Sequence, residues 1–517
     1  MPKTIILDGH SLTPETVEAI SYGAPIAIAE AAMTRVHASK GIVNRLADGE
    51  KPIYGISTGF GELSRVKVSA EDNGQLQKNL ILSHACAVGR PLSRERVRAI
   101  MCLRLNTLLS GYSGVSPEVV TTLAAFLNHD LIPHVPEKGS LGASGDLANL
   151  AHIALCLIGE GELAEGVQGN FRPSRELMES YGLSPVVLSG KDGLAIINGT
   201  PFMCGLGVLA WREAEALWSY AHFAAALTFE AFRGITAALD ERVHAIRPHR
   251  GQILSAKLLR ELLEGSDYVD SRTGDVQDPY TLRCTPQVHG ATYDALQYVG
   301  TVLQTELNSV TDNPLVFPDA DDVISGGNFH GQTLALSLDF LAMAVSELAN
   351  ISERRIERLV NPQLSGGLPA FLVASEGVNS GLMIPQYTAA CLVSENKILS
   401  HPASVDSIPS SANKEDHVSM GGNAARKVQE VIANTRQVIA IELMTAAQAL
   451  DLLPRHKLGR GTEIIYREIR SKIDFLAADR ILYPDLVAAD EMLRSRDFLE
   501  TVMSHIPHST PSTLAES

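Results

Sequence analysis

The chain has 517 residues, of which 45% are hydrophobic and 20% charged, with a formal net charge of −16 at pH 7. Such a composition can bury a large core, and its acidity argues against nucleic acid or an anionic membrane surface as partner, since both demand basic patches. Six cysteines at 86, 102, 156, 204, 284 and 391 form no Cys-x-x-Cys pair and read as reduced core residues of a cytoplasmic protein.

Thr4-Ile5-Ile6-Leu7 predicts a strand closed by the turn signal Asp8-Gly9. The N-terminus carries no long apolar core of a secretory signal. Residues 1–110 mix short strand-like pieces, glycine-rich turns and helices. Beyond them helical periodicity dominates, first from Phe202 to Phe232. Leu334, Leu338, Leu341, Ala342, Val345 and Leu348 then form one wide apolar face, and Val428 to Leu453 behaves alike. Asp339 and Glu347 fall within the apolar run from Leu334, which argues against a membrane span. The predicted fold is mostly α, with a mixed α/β region over 1–110 and a long helical bundle over 111–517. The polar, proline-bearing tail from His505 is expected to be flexible.

The unusual residues concentrate in the connections at 54–61, 139–146, 198–201, 277–283, 326–330 and 410–418. Loops presented by a rigid scaffold are where binding and catalysis tend to gather. Gly139-Ser140-Leu141-Gly142-Ala143-Ser144-Gly145-Asp146-Leu147 runs into a helical stripe of Leu147, Leu150, Ala151, Ala154 and Leu155. Ser144 or Asp146 as an N-cap would explain one polar residue. It would not explain three glycines and an alanine around it, which suit a backbone folded tightly on itself. In an Ala-Ser-Gly triplet the glycine nitrogen can attack the alanine carbonyl and close a five-membered ring. Loss of two waters then leaves a methylene conjugated to a carbonyl, an electrophile that no ordinary side chain supplies.

The stretch from Gly139 to Ala151 resembles the signature of the histidine and phenylalanine ammonia-lyase family, with Asn149 where a proline is common. The resemblance runs from Leu7-Asp8-Gly9 to beyond Leu453. It implies the fumarase/aspartase-like ammonia-lyase fold and a methylidene-imidazolone built from Ala143, Ser144 and Gly145, with no exogenous cofactor. It also implies a homotetramer whose active sites combine loops from several subunits. Tyr54, in Tyr54-Gly55-Ile56-Ser57-Thr58-Gly59-Phe60-Gly61, matches the family's catalytic base, a phenol that needs nearby positive charge or hydrogen bonds to ionise. Ser57 stands where many members carry asparagine. Arg283, in Gln277-Asp278-Pro279-Tyr280-Thr281-Leu282-Arg283, matches the carboxylate anchor, for which a permanently charged, forked donor is suited. Gln277 and Tyr280 match residues lining the site, Asn198 an asparagine that assists the carboxylate and the prosthetic group, and Phe329 an aromatic packed beside that group.

Two positions bear on the substrate, an amino acid. Ser83-His84 resembles the pair at the side-chain pocket of histidine-specific members. Glu415, in Lys414-Glu415-Asp416-His417-Val418-Ser419, stands where phenylalanine-specific members place glutamine. A carboxylate can hold an imidazole N–H but is poorly matched to a bare phenyl ring. Lys414 departs from the usual glutamine. The reading is therefore elimination of ammonia from L-histidine to give trans-urocanate. The alternatives are a phenylalanine or tyrosine ammonia-lyase and a related 2,3-aminomutase. More remote is a serine hydrolase through Gly55-Ile56-Ser57-Thr58-Gly59, whose elbow would have to lead from strand into helix. No metal-binding motif or nucleotide fingerprint is present in the sequence.

Overall fold

The computed structural model describes residues 3–47, 53–56, 58–59, 68–167, 169–374 and 377–506. The chain divides into two compact units, one of residues 1–212, 299–339 and 402–427, the other of 213–298, 340–401 and 428–517. Mostly helical architecture with short strand pairs agrees with the expected fold class. Most of the polar tail, from 507 onward, lies outside the described residues.

The first unit holds the strands. Ile5–Leu7 pairs in parallel with Ile26–Ile28, close to the strand expected at 4–7. Leu131–Pro133, Glu162–Glu165 and Arg172–Pro173 form a small antiparallel sheet, and Leu315–Phe317 pairs with Asp322–Ile324. Thr13 and Thr16 close a reciprocal capping box that starts the Pro14–Ser21 helix. The helix Arg94–Leu109 is buried at every position from Val97 to Leu109, including the charged Arg98 and Arg104. Arg98 donates to the carbonyls of Ile20 and Leu127 and to Asp130, at 2.7–2.9 Å, which offsets most of the cost of burying it. The helices that carry the candidate site, Ala70–His84, Leu147–Leu157 and Asp192–Ile197, pack on one another.

Among the described residues, the second unit contains helices and loops and no strand of two or more residues. Ala349, Ile356, Ala389, Val438 and Ile441 form one fully buried cluster within it. A buried Arg355–Glu442 pair, with Thr228 donating to the same carboxylate at 2.8 Å, ties three long helices together. Truncating one partner would strand a charge in the core.

The helical runs anticipated near 202–232, 334–348 and 428–453 appear as Pro201–Ala231, Gln332–Val360 and Gly421–Asp451. Gln332–Val360 is long and apolar enough to cross a membrane by composition alone, yet 67% of its most apolar window is buried inside the protein. It is a core helix. The cysteine reading needs correction: Cys102, Cys156 and Cys204 are buried, whereas Cys86 and Cys391 are exposed and Cys284 is half-buried. Cys86 follows the end of the Ala70–His84 helix in an open connection, and Cys391 occupies a solvent-facing position of Met383–Leu399.

Candidate active site

Residues 139–146 form a tight turn held from within. The Ser140 hydroxyl accepts from Gly142 N at 3.1 Å and donates to the Gly145 carbonyl at 2.8 Å. Gly145 N points back to the Gly142 carbonyl at 3.3 Å, and Ser144 adopts φ +51°, which non-glycine residues rarely do. A Cβ on Gly145 would stand 2.0 Å from the Gly199 carbonyl oxygen, and one on Gly142 would stand 2.3 Å from Ser419 Oγ. The glycines are there because backbone from elsewhere presses against the turn.

The turn is stitched to residue 199 on both sides. Asp146 N donates to the Gly199 carbonyl at 2.7 Å, and Gly199 N donates to the Ser144 carbonyl at 3.3 Å. Capping of its own helix, the plain reading of Asp146, is not what the structure shows. Asp146 occupies the N-cap position of Leu147–Leu157 but makes no side-chain bond there. Its carboxylate accepts instead from Phe202 N and Met203 N, at 2.9 and 3.0 Å, the first turn of the Pro201–Ala231 helix. Burial raises its pKa to about 7, against the two backbone donors that lower it.

Beside the turn lies a cavity of about 210 Å³ whose walls include Ser83, His84, Cys86, Ala143, Ser410 and Glu415. Ser144 Oγ donates to Glu415 Oε1 at 3.0 Å, and Ser410 Oγ donates to Glu415 Oε2 at 3.1 Å. The Ser410–Glu415 pair closes a tight reversal through Ser411, Ala412 and Asn413, all at positive φ of 48–66°. Left-handed backbone costs about 1–2 kcal/mol per such residue, so the aim of Glu415 is held against local preference. His84 Nδ1 lies 3.0 Å from Ser83 Oγ. Burial lowers the His84 pKa, opposed by its hydrogen bond to the Leu80 backbone and by the nearby charge of Glu415.

Asn198 follows the Asp192–Ile197 helix and is 2% exposed. Its side-chain amide donates to the Asn313 carbonyl at 2.8 Å. Asn313 also fastens the loop before Phe329, its Oδ1 accepting from Ser325 Oγ and Gly326 N at 3.1 and 2.8 Å. Phe329 is half-buried in that loop. The next residue, His330, places its Nε2 3.2 Å from His417 Nδ1, so the Phe329 and Glu415 loops meet. Tyr54 sits in a turn at 53–56, half-buried. Gly55 in that turn is packed so closely on Leu194 that a Cβ would come within 2.5 Å, and Asn73 donates to the Ile56 carbonyl at 2.6 Å. The turn is thereby fixed on the helix that ends at Asn198. Ser57, the serine of the hydrolase pattern, lies outside the described residues.

Gln277, Tyr280 and Arg283 belong to the second unit. They line a groove of about 480 Å³ together with Arg272 and Arg358. Tyr280 and Arg283 share one short helix, with the guanidinium 4.5 Å from the Tyr280 ring centroid. Asp278 beneath them is buried and accepts from Ile235 N and Arg272, both at 2.5 Å. Gln277 and Tyr280 are exposed. One unit thus carries Tyr54, His84, the 143–145 turn, Asn198, Phe329 and Glu415, and the other a groove lined by Gln277, Tyr280 and Arg283. Sequence reasoning missed the grip of Ser410 on Glu415 and the His330–His417 pair. Neither leaves a signal in spacing.

A family model for aromatic amino acid lyases matches residues 12–471. The chain belongs to the aromatic amino acid lyase family. Among members of this family, it is 59% identical over 501 residues to a histidine ammonia-lyase of Treponema denticola, covering 97% of this chain and 98% of that one. The crystal structure of histidine ammonia-lyase from Trypanosoma cruzi superposes with a TM-score of 0.91 at 43% identity, covering 99% of this chain and 97% of that one. A tyrosine aminomutase from Streptomyces globisporus superposes with a TM-score of 0.93 at 36% identity, covering 98% and 99%. Similarity in fold therefore spans more than one reaction, and the distinction rests on individual side chains.

Proposed function

We propose that this chain eliminates ammonia from L-histidine to give trans-urocanate, using a methylidene-imidazolone formed from its own Ala143, Ser144 and Gly145. The observation that carries the substrate assignment is the cavity shared by Ala143, His84 and Glu415, with Glu415 bonded to the Ser144 hydroxyl at 3.0 Å. A carboxylate and an imidazole at the mouth of the turn suit a polar ring with N–H groups. They would leave a phenyl ring facing an unmatched charge.

The turn fits the prosthetic group. Ser144 at positive φ and side-chain-free positions at 142 and 145 let the Gly145 nitrogen fold back toward the Ala143 carbonyl. Once formed, the group supplies an electrophilic methylene conjugated to a carbonyl. The remaining work falls to side chains. Arg283, with Gln277 and Tyr280 beside it, anchors the substrate carboxylate through a forked, charge-assisted contact. Asn198 assists at the carboxylate and the turn, and Phe329 packs beside it. Tyr54 takes the β-proton, acting as phenolate. Glu415 holds the imidazole, and His84 lines the same cavity. We further propose that the chain works as a homotetramer in which loops of several copies build each site, as the loop-borne residues would permit.

The test is a substrate panel. Purified protein is offered histidine, phenylalanine and tyrosine separately, following ultraviolet absorbance of the conjugated acid and release of ammonia. Histidine turnover with stoichiometric ammonia is expected. Turnover of phenylalanine or tyrosine without histidine would overturn the substrate, and a β-amino acid product would select an aminomutase.

A further inference from the structure

Arg104 stands directly behind the candidate site, bonded to the backbone of Asn198. It lies on the Arg94–Leu109 helix and is 0% exposed. Nη1 donates to the Asn198 carbonyl at 2.7 Å, while Nε and Nη2 meet no acceptor among the described residues. The neighbouring carboxylates are already engaged. Lys191 pairs with Asp312 at 2.6 Å, and Lys40 pairs with Asp192 at 3.0 Å. Arg104 itself makes no ion pair among the described residues. A buried charge without a full set of partners is costly, and a well-packed apolar residue would serve a purely structural role better.

The single acceptor it meets shows what the charge acts on. The Asn198 carbonyl takes the Arg104 proton at one end of the 198–199 peptide. At the other end of the same peptide, Gly199 N donates to the Ser144 carbonyl at 3.3 Å. Nothing intervenes between guanidinium and peptide, since a Cβ on Gly199 would stand 2.6 Å from Arg104 Nη1. Hydrogen bonds in series polarise one another, most effectively where water is absent. In the ring expected from residues 143–145, the Ser144 carbonyl is the one conjugated to the methylene. A donor held at its oxygen strengthens the electron-withdrawing pull on that methylene.

We propose that Arg104 is a positioning residue that acts through the Asn198–Gly199 peptide to orient and polarise the Ser144 carbonyl, and so sets the reactivity of the electrophile at 143–145. The proposal rests on the methylidene-imidazolone reading given above. It adds a residue that never touches substrate and a route by which its charge arrives.

The test uses the full chain with Arg104→Lys, which keeps the buried charge but not the fork, and Arg104→Met, which keeps length without charge. Three readouts are taken: intact mass, the ultraviolet absorption band of the prosthetic group, and kcat and KM measured separately on histidine. Wild type and Arg104→Lys should both be two waters short of the mass expected from sequence. In Arg104→Met the band should move to shorter wavelength and kcat should fall on the order of 10- to 10²-fold, at or below the loss from removing a directly bound donor. KM should stay within about three-fold, and Arg104→Lys should recover part of both effects. A folded, two-waters-short variant with wild-type band and kcat would overturn the proposal, as would KM rising in step with lost kcat while the band stays put. If Arg104→Met does not accumulate as folded protein, Arg104→Lys decides alone, and an unshifted band with unchanged kcat in it is again fatal. A wild-type chain of full, undehydrated mass would instead defeat the underlying reading, and this proposal with it.

Discussion

The Ser144 hydroxyl donates to Glu415 and must depart if the turn is to become an electrophile. Two substitutions separate the roles of these residues. Ser144→Ala should leave the protein folded while abolishing the two-water mass deficit and turnover, since there is no hydroxyl to lose. Glu415→Gln should keep the deficit but lower kcat/KM for histidine by about 10- to 10²-fold, the range for losing a charged hydrogen bond. Any activity on phenylalanine should change less. Equal losses on both substrates would count against imidazole recognition by Glu415. Gly145→Ala is a third probe, because its Cβ would fall 2.0 Å from the Gly199 oxygen. Intact mass should show an undehydrated chain, and a normal deficit would mean that the turn has room the structure does not show.

Much of this site was legible residue by residue because its chemistry needs uncommon combinations. Ala-Ser-Gly amid further glycines and a carboxylate before His417 are rare enough to be read from sequence. The reasons those residues hold their positions were not legible. Asp146 looks like a cap for the helix it precedes, and only the fold reveals that its carboxylate serves Phe202 and Met203. Arg104 sits in a helix with four arginines, residues that usually face solvent, yet that helix is buried at every position from Val97 to Leu109. Periodicity reports one face at a time and cannot signal a helix that has none free.

At the scale of elements, Asp146 joins two helices. It begins Leu147–Leu157 in sequence and satisfies the first amides of Pro201–Ala231 in space. Asp146→Ala should therefore cost about 1–2 kcal/mol of stability, the usual loss for a capping residue, in denaturant unfolding. Asp146→Asn retains an acceptor and should cost less. If the two variants were equally stable, the cap would not be what holds the second helix. Reading secondary structure from periodicity found both helices and missed the joint, since a carboxylate carries no mark of which amides it will meet.

For the molecule as a whole, pH offers a check on buried groups of opposite sign. His222 is fully buried between the Trp218 carbonyl and Ser255, and burial pulls its pKa to about 3 from 6.5. The unfolded chain takes up this proton below about 6.5 and the folded chain does not, so His222 erodes stability as pH falls through that range. Glu230 behaves conversely: burial pushes its pKa to about 7 from 4.5. Its contribution is fully present below about 4.5 and is lost as pH rises through about 7. Between pH 7 and 5 the two slopes oppose each other. Calorimetry should show Glu230→Gln losing Tm on acidification relative to wild type, and His222→Gln gaining it. Slopes of the same sign in both variants would contradict these assignments.

The two compact units share the chain in alternating segments. The chain passes from one to the other at 212–213, 298–299, 339–340, 401–402 and 427–428. Four of these five passages fall inside the helices Pro201–Ala231, Thr285–Glu306, Gln332–Val360 and Gly421–Asp451. Neither unit can be excised as a contiguous fragment, and a stop codon anywhere before 428 would leave both incomplete. The passage at 401–402 alone runs through a connection between helices. For anyone wishing to cut and rejoin this chain, to permute its termini or to insert a reporter at a unit boundary, that connection is where the scissors fit.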